Sequence, residues 1–151
     1  MTAYVSSRGF QEFEILTTSD VVVPVDFVGQ HIAYPVSGTQ PTYSFGSVRS
    51  HDSAPKMAWR QIQPSSGGAF DWSGNDTWVD YWIGQGKTIR WTLEGCPTWA
   101  AQVAWQGTAD PYGALGGGSP PNVWADWTTF VSTLATRYLG KIRTYEIVNE
   151  P

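Results

Sequence analysis

The second half of the chain limits the fold most, because it places a helix between two segments with strand character. The segment "KTIRWTLEG" is β-branched and aromatic and ends at a glycine, which predicts a strand at about 88–93. Asn122 is predicted to cap a helix whose apolar residues recur at helical spacing up to a stop at Gly140. The segment "KIRTYEIV" then alternates as a strand at about 142–148. Strands that alternate with helices predict an α/β fold with a parallel sheet.

The first half of the chain follows the same order of strand and helix. Short apolar segments predict strands at about 27–33 and 43–50, and residues 51–74 carry the Pro, Ser and Gly of an irregular loop. A first clear helix is predicted to begin after an N-cap at Asn75 or Asp76. Its apolar side and its stop signals are Trp78, Val79, Trp82, Ile83, Gly84 and Gly86.

Length and composition indicate one folded domain of 151 residues, with 41% hydrophobic and 15% charged residues. We divide it into an N-terminal arm, residues 1–26, and a domain at 27–151. A net charge of -4 without a basic run argues against nucleic acid as a partner. Neither a secretory signal nor a membrane-spanning run is visible, so we expect no membrane association and a cytoplasmic location by default.

Polar and aromatic side chains collect where the predicted strands end. They are His31, Arg49, Glu94, Trp99, Asn149 and Glu150. Sites in parallel α/β proteins are built at that edge of the sheet, so we expect these side chains to lie at one end. A Glu beside an Asn suits proton transfer to a glycosidic oxygen, and nine Trp residues offer apolar platforms for sugar faces.

Three segments resemble one enzyme family. "YEIVNEP", residues 145–151, resembles the strand-four signature of the retaining glycoside hydrolases of clan A, which are (β/α)8 TIM barrels whose Asn-Glu pair contains the acid/base. "WRQIQPSSGGAFDW" and "TLEGCPTWA" are similar to segments of glycoside hydrolase family 39, the β-xylosidase and α-L-iduronidase branch. The likeness covers about residue 27 to the end.

The resemblance implies a retaining, β-xylosidase-like O-glycosidase with Glu150 as the acid/base and no cofactor. The candidate residues for binding the carbohydrate substrate are Asn149, His31, Arg49 and Trp99. Retention requires a second carboxyl group, the nucleophile, about 5 to 5.5 Å from the first. In the clan this nucleophile comes from strand seven.

The chain is expected to hold only about the first four βα units of such a barrel. We interpret it as the N-terminal half of a longer enzyme, inactive alone, whose sheet edges are covered by the C-terminal half or by a partner chain. The alternative is a non-catalytic carbohydrate-binding or structural half barrel in a larger assembly.

Several residues keep two interpretations. Arg49 either binds substrate or pairs with Glu146 or Glu150, and Glu146 is interpreted as a structural carboxylate rather than a second catalyst. His31 either contacts a sugar hydroxyl or is a satisfied core histidine, and His51 is expected to face solvent or to lie in a loop.

Other candidate sites are given structural interpretations. No His/Cys/Asp cluster has the spacing of metal ligands, so no metal is expected. Cys96 has no His base placed for it and is interpreted as a buried structural thiol. Trp59 and Trp72 are interpreted as anchors of the loop at 51–74 rather than as sugar platforms, and Trp99 keeps both interpretations.

Overall fold

The computed structural model describes residues 24–31, 41–51, 57–109 and 114–147. Its strands are β1 (Gly29–His31), β2 (Ser47–Arg49), β3 (Thr88–Leu93) and β4 (Thr144–Ile147). Its helices are α1 (Trp59–Ile62), α2 (Ser73–Gly84) and α3 (Trp124–Arg137), with 3-10 turns at Val25–Phe27 and Val103–Trp105.

The four strands form one sheet in the order β1-β2-β3-β4, and every neighbouring pair is parallel. The predicted α/β class and parallel sheet are therefore confirmed. β3 has its predicted bounds, whereas the other strands lie inside their predicted ranges and are shorter. Within the described part of the chain, the outer edges of β1 and β4 pair with no further strand.

The two faces of the sheet differ in chemistry because successive side chains of a strand point to opposite sides. Trp91 of β3 is fully buried, with its ring centroid 6.5 Å from that of Trp78 in α2 and 5.6 Å from that of Tyr138 just after α3. Both long helices thus contact the same face of the sheet, and Arg90 and Thr92 belong to the opposite face.

α2 begins earlier than the sequence predicts, at Ser73 instead of after Asn75 or Asp76. The side chain of Asp71 accepts hydrogen bonds from the backbone N–H of Ser73 at 3.2 Å and from its hydroxyl at 2.7 Å, so it serves the helix start in their place. Asn75 is instead fully buried inside the first turn.

α3 begins at Trp124, two residues after the predicted cap. Asn122 does not cap the helix with its side chain, and its backbone N–H donates to the carbonyl of Ala100 at 2.7 Å. Phe130 and Leu134 are fully buried on the inner side of the helix, as their spacing predicts.

The predicted irregular loop after β2 contains the short helix α1, which the sequence does not predict. The ring of Trp59, at the start of α1, lies 5.6 Å from that of Trp99, 5.5 Å from Trp127 and 5.4 Å from Phe130. Trp59 and Trp72 are both buried, so their interpretation as anchors of this segment is confirmed. Local propensity could not indicate α1, because its four residues are fixed by this aromatic cluster.

Polar contacts join α2 to the end of α3. The guanidinium of Arg137 donates to both carboxylate oxygens of Asp76, and the Tyr138 hydroxyl donates to the same carboxylate at 3.1 Å. The hydrogen bond from Arg137 lowers the pKa of Asp76, and burial raises the pKa of Tyr138. Asp76 therefore stabilises helix packing instead of capping α2.

Candidate functional site

The strand register brings polar residues of the four strands together on the face opposite the long helices. His31 of β1 is in register with Arg49 of β2, and Arg49 is in register with Arg90 of β3. Thr92 of β3 is in register with Glu146 of β4. We call the set His31, Arg49, Arg90, Thr92 and Glu146 the polar sheet face.

An ion pair connects β2 to β4 across β3. Arg49 Nε donates to Glu146 Oε2 at 2.6 Å, and Thr92 Oγ1 donates to the same oxygen at 3.1 Å. The hydrogen bond from Arg49 lowers the pKa of Glu146, with a further contribution from Thr92. The predicted pairing of Arg49 with a strand carboxylate is confirmed for Glu146, which is held ionised.

A second polar pair lies just beyond the strand ends. His51 is buried, and its Nδ1 lies 2.9 Å from Glu94 Oε2, so the expectation that it faces solvent is wrong, whereas its position in a turn after β2 agrees with the loop alternative. The physical reason for its burial is that the chain stays beside β3 at this point, because the backbone N–H of Ser50 donates to the carbonyl of Arg90 at 3.0 Å. The ring centroids of His31 and His51 are 5.5 Å apart. The pair therefore extends the polar sheet face beyond Arg49.

Trp99 lies in the turn after β3 and is half-buried. Its indole N–H donates to the backbone carbonyl of Gln63 at 3.1 Å, and its ring makes an edge contact with Trp59. These contacts fix the ring against the aromatic core, whereas His31 and Arg49 lie on the polar sheet face. Whether the remaining exposed part of Trp99 contacts a sugar stays a prediction.

Asn149 and Glu150, the most specific residues of the sequence motif, lie outside the described residues. The strand that leads to them is described as far as Ile147 and is parallel to β3. The predicted position of Glu150 at the same end of the sheet as Arg49 therefore stays a prediction.

Three residues of the site were not predicted from the sequence: Arg90 and Thr92 of the polar sheet face, and Ser50 beside it. The Ser50 hydroxyl accepts the backbone N–H of Thr92 at 2.9 Å, which joins the end of β2 to β3. The signal for Thr92 was present, because Arg90, Thr92 and Glu94 recur at period two and so share one side of the strand. No such pattern marks Ser50.

The described ranges contain no cluster of metal ligands, and the thiol of Cys96 is buried. No group of three or more His, Cys, Asp or Glu side chains in them could hold a metal ion. Cys96 is buried, and this burial raises its pKa to about 11, so the thiol is protonated at neutral pH. Its interpretation as a structural thiol fits both observations.

No protein-family model matches this sequence. Among the residues that the structure describes, no helix is long and apolar enough to cross a membrane.

Proposed function

We propose that the chain is part of a retaining glycoside hydrolase with a (β/α)8 barrel, similar to family 39 and its β-xylosidases. One observation carries the proposal: an ion-paired row of polar side chains lies on the sheet face opposite the helices, at the carboxyl ends of parallel strands. In barrel enzymes this end of the strands supplies the catalytic groups.

Glu150 is the proposed acid/base, which protonates the leaving glycosidic oxygen and later activates water. Glu146, on β4, is the other candidate, but a general acid must carry a proton near neutral pH. Arg49 lowers the pKa of Glu146 and so removes it from that role. We assign Glu146 to holding Arg49 in place and Glu150 to proton transfer.

Asn149, His31, Arg49 and Trp99 are the proposed substrate-binding residues. Arg49 and His31 are in register on neighbouring strands, which supports their acting on one ligand. The Nε of Arg49 is oriented by Glu146, so the side chain is held in one direction before substrate arrives.

The proposed nucleophile and the remaining strands belong to a C-terminal half of the barrel or to a partner chain. In the described ranges, no further strand pairs with the outer edges of β1 and β4. This supports the arrangement, because additional strands that close the barrel would cover both edges. Exposed apolar residues at the two edges, Phe27 and Val28 beside β1 and Ile147 on β4, also favour a covering element.

The test uses a polypeptide that contains these residues together with the second half of the barrel. Hydrolysis of aryl β-xylosides is measured for the parent, for Glu150→Gln and for Asp80→Asn. Asp80 is the matched control, because it is a carboxylate on α2 whose contact is a surface ion pair with Lys141.

We expect Glu150→Gln to lose about 10²- to 10⁴-fold in rate on substrates with poor leaving groups, the usual contribution of a general acid. The loss should be smaller for good leaving groups, which need no proton. Asp80→Asn should match the parent on both. A Gln variant as fast as its parent on poor leaving groups would show that Glu150 is not the acid.

A further inference from the structure

The segment between β3 and α3 exposes an unusual set of apolar side chains. Of the large apolar residues exposed in the described ranges, five fall within 22 residues of sequence. They are Val103, Trp105, Leu115, Val123 and Trp124. Trp105 is 42% exposed and Trp124 is 64% exposed, and neither ring stacks on another ring of the described residues.

This segment is held in place by backbone contacts. Ala101 bridges Pro121, and Ala109 bridges Leu115, so the two limbs of the segment run side by side. The Gln106 side chain also donates to the carbonyl of Ala101 at 3.1 Å, which ties the turn that carries Trp105 to the base of the loop. Trp105 therefore lies in a cross-bridged loop, and Trp124 follows the end of that loop as the first residue of α3.

The loop lies at the same end of the sheet as the polar sheet face. It connects the carboxyl end of β3 to the first residue of α3, and in a parallel α/β unit both lie at the carboxyl edge of the strands. Trp105 and Trp124 thus belong to the end of the sheet at which the proposed active site is built.

Charge limits what this surface can bind. Between Glu94 and Asp126 the sequence contains a single charged residue, Asp110, and no Lys or Arg. Nucleic acids and phosphorylated ligands need clustered cations, which this stretch of sequence does not supply.

A neutral glycan fits the surface. Sugar rings present apolar C–H faces to an indole and equatorial hydroxyls to amides, and Gln102 and Asn122 are exposed amides that come shortly before Trp105 and Trp124 in the sequence. We propose that Trp105 and Trp124 form a platform for a neutral polysaccharide, which extends the substrate beyond the proposed active site. The inference rests on the proposed function for the carbohydrate class of ligand.

The experiment measures retardation in native gels that contain unsubstituted β-1,4-xylan, β-mannan or mixed-linkage β-glucan. The proteins compared are the parent polypeptide, Trp105→Ala, Trp124→Ala, Glu150→Gln and the control Tyr43→Ala. Tyr43 is 54% exposed and precedes β2, so it is an exposed aromatic at the opposite end of the sheet.

We expect each Trp variant to bind at least one of these glycans at least about fivefold more weakly than the parent does. A fivefold change is about the low end of the affinity lost when a stacked aromatic ring is removed. Tyr43→Ala should bind like the parent, and Glu150→Gln enters the comparison only through its hydrolysis rate. The Trp variants should also lose rate on the polymer while keeping the parent rate on a small aryl β-xyloside, which shows that they are folded.

Two outcomes overturn the inference. One is a parent that binds none of the three neutral glycans, and the other is a pair of Trp variants that bind like the parent. If the Trp variants change the sedimentation coefficient and not glycan binding, the surface contacts a protein instead. The two proposals fail separately, because Glu150→Gln alone tests hydrolysis and the Trp variants alone test the platform.

Discussion

Replacement of Glu146 by Gln tests the ion pair that joins β2 to β4. The carboxylate accepts hydrogen bonds from Arg49 Nε at 2.6 Å and from Thr92 Oγ1 at 3.1 Å. Glutamine has nearly the same shape and keeps an acceptor oxygen, so the substitution removes the charge and little packing.

The expected loss follows from the strength and exposure of these contacts. A hydrogen bond to a charged group contributes about 1.5–3 kcal/mol. The side chains of Arg49 and Glu146 are 26% and 31% exposed, so solvent screening reduces this value. We expect Glu146→Gln to lower the free energy of unfolding by about 1–2 kcal/mol at pH 7.

The loss should depend on pH in one direction. Because the pKa of Glu146 is lower in the folded state than in the unfolded chain, its stabilisation is present above the unfolded pKa of about 4.3. That stabilisation disappears as the pH falls through the folded pKa. The difference between parent and variant should therefore be full at pH 7, smaller at pH 4 and absent in stronger acid.

Urea unfolding, followed by tryptophan fluorescence at several pH values, measures this difference. Combined with Arg49→Gln in a double-mutant cycle, Glu146→Gln should show a coupling energy of about 1 kcal/mol at pH 7. Asp80→Asn, which removes a surface ion pair with Lys141, should cost no more than about 0.5 kcal/mol. A loss for Glu146→Gln that is equal at every pH, or a coupling near zero, would refute the argument.

Three further predictions concern the core and the loops. Phe130→Ala should lower the free energy of unfolding by about 3–5 kcal/mol, and Phe130→Leu by less, because this ring is fully buried in the aromatic cluster. Urea unfolding measures both values. Gly95→Ala should lower the free energy of unfolding by about 1–3 kcal/mol, because its φ is +71° and a Cβ would lie 2.5 Å from Arg60 Nη1. The control Gly84→Ala, in α2, should not lower the free energy of unfolding in the same assay. Cys96 should react with a thiol reagent at pH 8 far more slowly in the folded protein than in urea, because burial raises the pKa of its thiol to about 11. Equal reaction rates in the two states would contradict this prediction.

The parts of the fold that could be predicted are those whose own sequence decides them. β3 was placed with its correct bounds because a β-branched run ends at Gly95, whose positive φ suits glycine alone. The inner side of α3 was placed because Phe130 and Leu134 follow helical spacing, and both are fully buried.

The parts that could not be predicted depend on contacts between distant segments. Asp76 resembles an N-cap in sequence, but its carboxylate binds Arg137, 61 residues away, and the helix begins at Ser73. His51 lies within the polar sequence "RSHD", which is typical of an exposed loop, yet it is buried against Glu94 of the turn after β3. Long-range partners of this kind leave no local pattern.

The most direct measurement for the central claim is the product that Glu150→Gln forms in the presence of azide. The substrate is a β-xyloside with an activated leaving group, and the protein contains these residues together with the second half of the barrel. If Glu150 is the acid/base of a retaining site, azide replaces it in the second step and proton NMR detects a β-xylosyl azide of retained configuration. Release of xylose alone at the parent rate, or an azide of inverted configuration, would contradict the account.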